Sequence, residues 1–331
     1  MFAFRLVRAA GLRFAWGTVF VFALSVSTAG RAQVARMEIH AFPSMTLTDQ
    51  QFLDGRKEGT PVTVTGELRL PGSGNDRIPV VVLLHVSGGI GGNVIDWSQY
   101  LNELGLATFV IDSFTARGIV STVNDQSQLG RLAMTIDAYR ALGMLAKHPR
   151  IDPSRIALMG FSRGAHSALY ASMKRFRRMH GPAGQEFAAY IAFYSDCGTN
   201  YREDEEVTDK PIRLFHGSAD DYNPVAPCRA YVERLKQKGK DVQLTEYASA
   251  GHVFDGQAFR KSLKLEKGQT TRQCERAEVD DGVVINTKTR QPFNYADPCV
   301  EYGPTVVFDE KAYTESRKAV GEFVLATLKP R

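Results

Sequence analysis

Residues 158–166 read LMGFSRGAH, with Gly160, Ser162 and Gly164 at alternate positions. In a chain of 29 glycines that spacing alone says little, so its surroundings decide how it is read. The apolar run RIALM precedes it directly, and AHSALYASM follows with helical character. A buried strand that turns sharply into a helix is the setting in which such a serine becomes a nucleophile. Glycines let the backbone turn without Cβ clashes and leave the serine oxygen at the head of the helix. There the helix amides favour negative charge. The stretch therefore predicts a strand, a tight turn with Ser162 at its apex, and a helix.

A serine hydroxyl is a poor nucleophile until a base removes its proton. The sequence offers His252 in SAGHVFD, just past the predicted strand VQLTEY at 242–247. The orienting acid is expected between them, and FHGSADDYNPVAPC presents both Asp220 and Asp221 after the predicted strand IRLF. Spacing leaves the two aspartates open. Each member alone has a plainer reading, since aspartates after strands commonly make turns. What carries weight is the order serine, aspartate, histidine, each just beyond a strand, because such loops converge at one sheet edge. His40, His85, His148, His166, His180 and His216 show no such order, and His85 and His216 read as structural hydrogen-bonders at strand ends. Acyl transfer also needs donors for an oxyanion. One candidate is the backbone N–H of Arg163, and the second is expected from HVSGGIGGN, the loop after the first central strand. That loop lacks the glycine spacing and the Gly-Lys-Ser/Thr of phosphate-binding loops, which disfavours nucleotide binding.

Around these motifs the chain alternates. TVTGELRLPGSGNDRIPVVVLLHV reads as two strands, followed by strands at 106–113, 155–160, 189–195, 211–217 and 242–247. Helical patterns fall at 97–104, 129–147, 165–176, 226–237 and 313–328. Continuous apolar strands between helices predict an α/β fold with a mostly parallel sheet covered on both faces. The polar stretch at about 256–308, with a hairpin around Asn286–Arg290, reads as an insertion before the last helix.

Residues 1–32 read as a secretory signal peptide. Arg5, Arg8 and Arg13 precede the apolar FAWGTVFVFALSV, and small residues lead to a cleavage point near Ala32. The apolar run falls short of the roughly 20 residues of a bilayer span. The expectation is a mature domain of residues 33–331, periplasmic or secreted, with no stable membrane anchor. Four arginines and no acid lie in 1–32, so the net charge of +5 falls to about +1 in the mature chain, leaving no footprint for nucleic acid. The cluster Lys174, Arg175, Arg177 and Arg178 reads as a solvated helix end. Cys197, Cys228, Cys274 and Cys299 have no metal-ligand spacing, and an oxidising compartment favours bridges. A Cys274–Cys299 bond would pin the insertion, leaving Cys197 to pair with Cys228.

The motifs LLHVSGGIGG, FVIDSFTARG, MGFSRGAH, AFYSDCGT, LFHGSADDYNPVAPC and YASAGHVFD, in order from about 78 to 255, resemble the dienelactone hydrolase family of α/β-hydrolases, especially exported members with a serine nucleophile. The resemblance implies the α/β-hydrolase fold, with a disulfide-containing insertion before the last helix. The family pattern of a glycine, two residues, the acid and a proline four later falls on Gly217, Asp220 and Pro224, which selects Asp220. It also places the second oxyanion donor at the backbone N–H of Ser87. Two departures stand out. Enzymes that open dienelactones carry cysteine where this chain has Ser162, so ordinary ester hydrolysis is implied instead. Val86 follows His85 where many relatives have glycine.

The expectation is an exported serine hydrolase that cleaves small-molecule carboxylic esters through Ser162, Asp220, His252 and an acyl-enzyme. Its oxyanion hole would be the amides of Ser87 and Arg163, and no metal or organic cofactor is implied. The same machinery could cleave peptides or transfer the acyl group, and a vestigial site would leave a binding protein. Tyr222, Phe254, Phe114 and Arg117 are candidate pocket walls.

Overall fold

The computed structural model describes residues 1–2 and 34–329. The signal-peptide reading of 1–32 falls, but for Met1 and Phe2, outside the described residues. All elements below lie in one compact unit, Ala32–Arg331.

The strands are β1 (Val34–Thr46), β2 (Thr60–Pro71), β3 (Ile78–Leu84), β4 (Ala107–Asp112), β5 (Ile151–Phe161), β6 (Ala189–Phe193), the short β7 (Thr199–Asn200), β8 (Ile212–Gly217) and β9 (Val242–Tyr247). Eight of them form one sheet in the order β1-β2-β4-β3-β5-β6-β8-β9. The β1–β2 and β2–β4 pairs are antiparallel, and the rest are parallel. The helices are α1 (Asp49–Leu53), α2 (Gly92–Glu103), α3 (Ala133–Leu145), α4 (Arg163–Tyr170), α5 (Lys174–His180), α6 (Val225–Gln237) and α7 (Glu310–Leu328).

Alternation along each strand divides the core in two. Val80, Val82, Leu84, Ile156 and Leu158 pack with Leu142, Leu169 and Leu235 of α3, α4 and α6. Val81, Leu83, Met159 and Ile191 pack with Trp97 and Leu101 of α2 and Val320 and Val324 of α7. Strands buried on both faces read as unbroken apolar runs, which is why the parallel strands are legible in the sequence.

Two expectations change. The helix expected over 165–176 is two helices. The Ser172 hydroxyl donates to the Leu169 carbonyl, and Met173 is extended and bridges Val207. Side-chain bonding to the backbone competes with helix continuation at such a site. The basic cluster consequently opens α5, and Arg175 makes a bidentate ion pair with the buried carboxylate of Glu278.

Segment 256–308 has little regular structure of its own. Its short strands are β10 (Leu263–Lys264), β11 (Gln269–Thr270), β12 (Arg276–Glu278), β13 (Val284–Asn286), β14 (Glu301–Tyr302) and β15 (Thr305–Val306). β10 pairs with β15 and β11 with β14, while β12 joins β13 and also β7 of the main body. The expected turn is present: the Arg290 N–H donates to Asn286 O and the Asn286 N–H to Gln291 O. Both expected disulfides are present, with Cα–Cα distances of 4.9 Å for Cys197–Cys228 and 5.1 Å for Cys274–Cys299.

Candidate active site

β5 delivers Ser162 to the head of α4 at φ 52° and ψ −111°. A non-glycine residue there stores roughly 1–3 kcal/mol of strain. The flanking glycines serve close packing. A Cβ on Gly160 would lie 2.1 Å from the Gly164 carbonyl oxygen, and one on Gly164 would lie 2.4 Å from that of Leu84. The left-handed turn itself falls on the serine.

Ser162 and His252, picked from chain order, meet Asp220, the aspartate that the family pattern selects. Ser162 Oγ lies 2.9 Å from His252 Nε2, and His252 Nδ1 lies 2.7 Å from Asp220 Oδ2. With Nδ1–H donating to the carboxylate, Nε2 is free to accept the serine proton. All three side chains are buried. Asp220 Oδ1 also accepts the N–H groups of Tyr222 and Asn223. Burial works against ionisation of Asp220, but the charge of His252 and hydrogen bonds from His216 and His252 outweigh it and hold the carboxyl well below the usual range. Asp221 turns away: its Oδ1 accepts the Thr305 N–H, and its carbonyl accepts Arg272 Nη1–H.

His252 is held on both sides. Tyr222 stacks on its ring at 4.7 Å, and Tyr194 meets it edge-on at 4.8 Å. The Tyr194 hydroxyl and Trp97 Nε1–H both donate to the buried carboxylate of Asp255, at 2.8 Å each. Burial pushes Asp255 up. His85 is structural as read: Nδ1–H donates to Val86 O, while Nε2 accepts the Ser113 N–H. His216 is structural as read, its Nε2 2.8 Å from Asn223 O, and the same nitrogen also lies 3.3 Å from Asp220 Oδ2.

Ser87 and Arg163 border the same narrow cleft as Ser162. Between them lies Gln126. Its Oε1 accepts Arg163 Nη2–H at 2.6 Å, and its Nε2–H donates to the Tyr222 hydroxyl at 3.0 Å and to Ser87 Oγ at 3.3 Å. The Gln126 N–H is held by Gln269 Oε1 from segment 256–308. The Arg163 guanidinium is otherwise bonded to the carbonyls of Leu129 and Gln126, and burial lowers its pKa. Nothing in the local sequence marks Gln126 or Gln269. Asp255 had a faint signal in standing three residues after His252.

A largely apolar cavity of about 280 Å³ opens beside Ser162 and His252, bordered by Val86, Val253, Phe259, Leu265 and Val306. Of the expected pocket walls, Tyr222 borders it. The others are structural: Phe254 is core, Phe114 packs edge-on against His85, and Arg117 is in a buried bidentate pair with Asp137. Glu38, His40 and His148 cluster away from this site. Both histidines already bond the carboxylate, and His148 Nδ1 accepts the Arg150 N–H, which commits its Nε2 to carry the proton rather than a metal.

The mostly parallel sheet, its covering helices and a site at the carboxyl ends of the strands are those of an α/β-hydrolase. The sequence matches the dienelactone hydrolase family over residues 67–273, and the chain belongs to that family. It is a hydrolase acting on ester bonds. Similar solved structures include a dienelactone hydrolase-like promiscuous phosphotriesterase from metagenomic libraries, at 15% identity and TM-score 0.54, covering 88% of this chain and 98% of that one. A candidate dienelactone hydrolase from Klebsiella pneumoniae is 12% identical at TM-score 0.54, covering 88% and 99%. A third, m3DLH, is 19% identical at TM-score 0.57, covering 88% and 98%. No curated protein sequence matches.

Proposed function

We propose that the protein is an exported carboxylic-ester hydrolase in which Ser162 is the nucleophile, His252 the general base and acid, and Asp220 the orienting carboxylate. Ser162 Oγ forms a bond to the ester carbonyl carbon as its proton passes to His252 Nε2. The amides of Ser87 and Arg163 hold the oxyanion. Collapse breaks the bond to the alcohol oxygen, which takes the proton from His252 and leaves an acyl-enzyme. Water then repeats the sequence and releases the acid. Asp220 keeps His252 in the tautomer that accepts at Nε2 and stabilises the imidazolium.

The observation that carries this reading is the unbroken chain from Ser162 through His252 to Asp220, at 2.9 and 2.7 Å, beside an apolar cavity. Export, with cleavage near Ala32, is supported by all four cysteines being paired, which suits an oxidising compartment. Among the described residues no helix is long and apolar enough to cross a membrane.

A fluorophosphonate probe tests the assignment. Wild type should be labelled and should hydrolyse 1-naphthyl acetate, and Ser162→Ala should do neither. Labelling that survives Ser162→Ala would refute the nucleophile.

A further inference from the structure

The end of β6 is in touch with Ser162, His252 and Asp220 at once. The Phe193 carbonyl accepts the Ser162 N–H at 3.0 Å. The next residue, Tyr194, sets its ring edge-on to His252 at 4.8 Å. The Tyr194 carbonyl accepts Asn223 Nδ2–H at 3.0 Å, and the Asn223 N–H in turn donates to Asp220 Oδ1 at 2.8 Å. The three residues of the proposed catalytic chain stand on separate loops, and this two-residue corner reaches each of them.

The corner is strained and needs a clamp. Tyr194 has φ 42°, a conformation that a bulky residue keeps only where its surroundings hold it. Its N–H donates to Phe215 O at 2.8 Å. Its hydroxyl is held twice, donating to Asp255 Oδ1 at 2.8 Å and accepting Asn93 Nδ2–H at 3.1 Å. Asp255 takes Trp97 Nε1–H of α2 on its other oxygen. It therefore joins the loop that carries His252, the Tyr194 corner and α2. Both donors to Asp255 are neutral, and a buried carboxylate so placed costs more than an apolar side chain of its size. What it adds is geometry: two acceptors on one planar group. Tyr194 and Asp255 are fully buried, and neither borders the apolar cavity or the narrow cleft at Ser162.

We propose that Tyr194 and Asp255 are positioning residues for the hydrolysis: Asp255 clamps the Tyr194 hydroxyl, and the corner after β6, so held, sets Ser162, His252 and Asp220 relative to one another. The inference rests on those three residues being the catalytic chain. Because neither Tyr194 nor Asp255 borders the space open to substrate, loosening the clamp acts on kcat and spares KM.

Tyr194→Phe keeps the ring and removes only the hydroxyl. Displacing a catalytic group by about 1 Å costs up to about 100-fold, so this variant should lower kcat on 1-naphthyl acetate at least about 10-fold, with KM within about 2-fold. Fluorophosphonate labelling should slow by a similar factor. Tyr139→Phe is the control. It removes a buried hydroxyl bonded to Ala171 O in the other half of the core, and should lower the melting temperature while leaving kcat within about 2-fold. Wild-type kcat in Tyr194→Phe, or an equal loss in both variants, would overturn the proposal. Asp255→Leu removes both acceptors and should lower kcat at least as far. Combined with Tyr194→Phe, its loss should fall at least about 5-fold short of the product of the two, because both variants break one contact. Multiplicative losses would show that Asp255 acts apart from Tyr194 and would overturn its role. If Asp255→Leu does not fold, the comparison of Tyr194→Phe with Tyr139→Phe decides alone. A wild type that takes no fluorophosphonate would instead sink the reading of Ser162.

Discussion

Replacing Gln126 with leucine should impair catalysis although Gln126 has no part in the chemistry. Its amide touches both residues whose backbone N–H groups are proposed to hold the oxyanion, and it also touches Tyr222, which stacks on His252. Leucine keeps most of the volume and removes every one of those bonds. The bond from Arg163 at 2.6 Å involves a charged donor, and losing such a bond costs about 1.5–3 kcal/mol. Arg163 Nη2 keeps the Gln126 main-chain carbonyl at 2.9 Å, which places the expected loss of stability at the lower end, about 2 kcal/mol. Removing an oxyanion donor outright costs about 10²–10³ in kcat, and loosening two donors should cost less, about 10-fold. The loss should appear in kcat with KM little changed, because the donors act on the transition state. Steady-state kinetics on 1-naphthyl acetate, with urea denaturation of the same protein, reads both numbers. Gln126→Glu is the conservative control: its carboxylate accepts from Arg163 and also from the Ser87 and Tyr222 hydroxyls, which can donate as well as accept, so both stability and kcat should largely recover. A folded Gln126→Leu protein with wild-type kcat would refute the reasoning.

Gly164→Ala should destabilise by about 1–3 kcal/mol and lower kcat, because its Cβ would strike the backbone of Leu84 and His85; wild-type melting and rate would contradict this. Cys274→Ser with Cys299→Ser should cost about 3 kcal/mol by loop-closure entropy, read from denaturant midpoints. Burial holds His85, His166 and His180 below their ordinary range, His180 at about 4. Unfolded histidines titrate near pH 6.5, so their contribution is full above about pH 6.5 and lost as the pH falls towards 4. Asp204, pushed up to about 6 by burial, and the buried Asp255, also raised, work in the opposite sense. With three histidines against these two, the denaturant midpoint should still fall as the pH falls over that window, and His180→Gln should flatten the curve; a midpoint independent of pH would count against this.

The parts legible in the sequence were those that a local pattern can carry. Strands buried on both faces announce themselves as apolar runs, and the ordered residues Ser162, Asp220 and His252 each follow one. β1 was not legible. Its outward face carries Met37 and Ile39, while Glu38 and His40 point inward towards His148, so its polarity is inverted for an edge strand. The choice of Asp220 over Asp221 needed the family pattern, because both aspartates satisfy the same spacing and only the loop geometry turns one to His252 and the other to Thr305. Gln126 and Gln269 were invisible because their partners lie 37 and 143 residues away in the chain.

Segment 256–308 reads from sequence as a pinned loop, but its contacts tie it to the chemistry from three directions. Gln269 fixes the main chain of Gln126, and Thr270 donates to the Tyr222 carbonyl. Thr305 and Arg272 hold Asp221, the neighbour of the acid. Phe259, Leu265 and Val306 border the largely apolar cavity beside Ser162 and His252. Polar contacts of this kind hold a site only if the segment that supplies them is itself fixed, and β10–β15 are too short to fix it alone. The Cys274–Cys299 bond and the β7–β12 pairing supply that constraint. Opening the disulfide should therefore lower kcat at temperatures where the sheet is still folded, an effect that a purely structural staple would not produce.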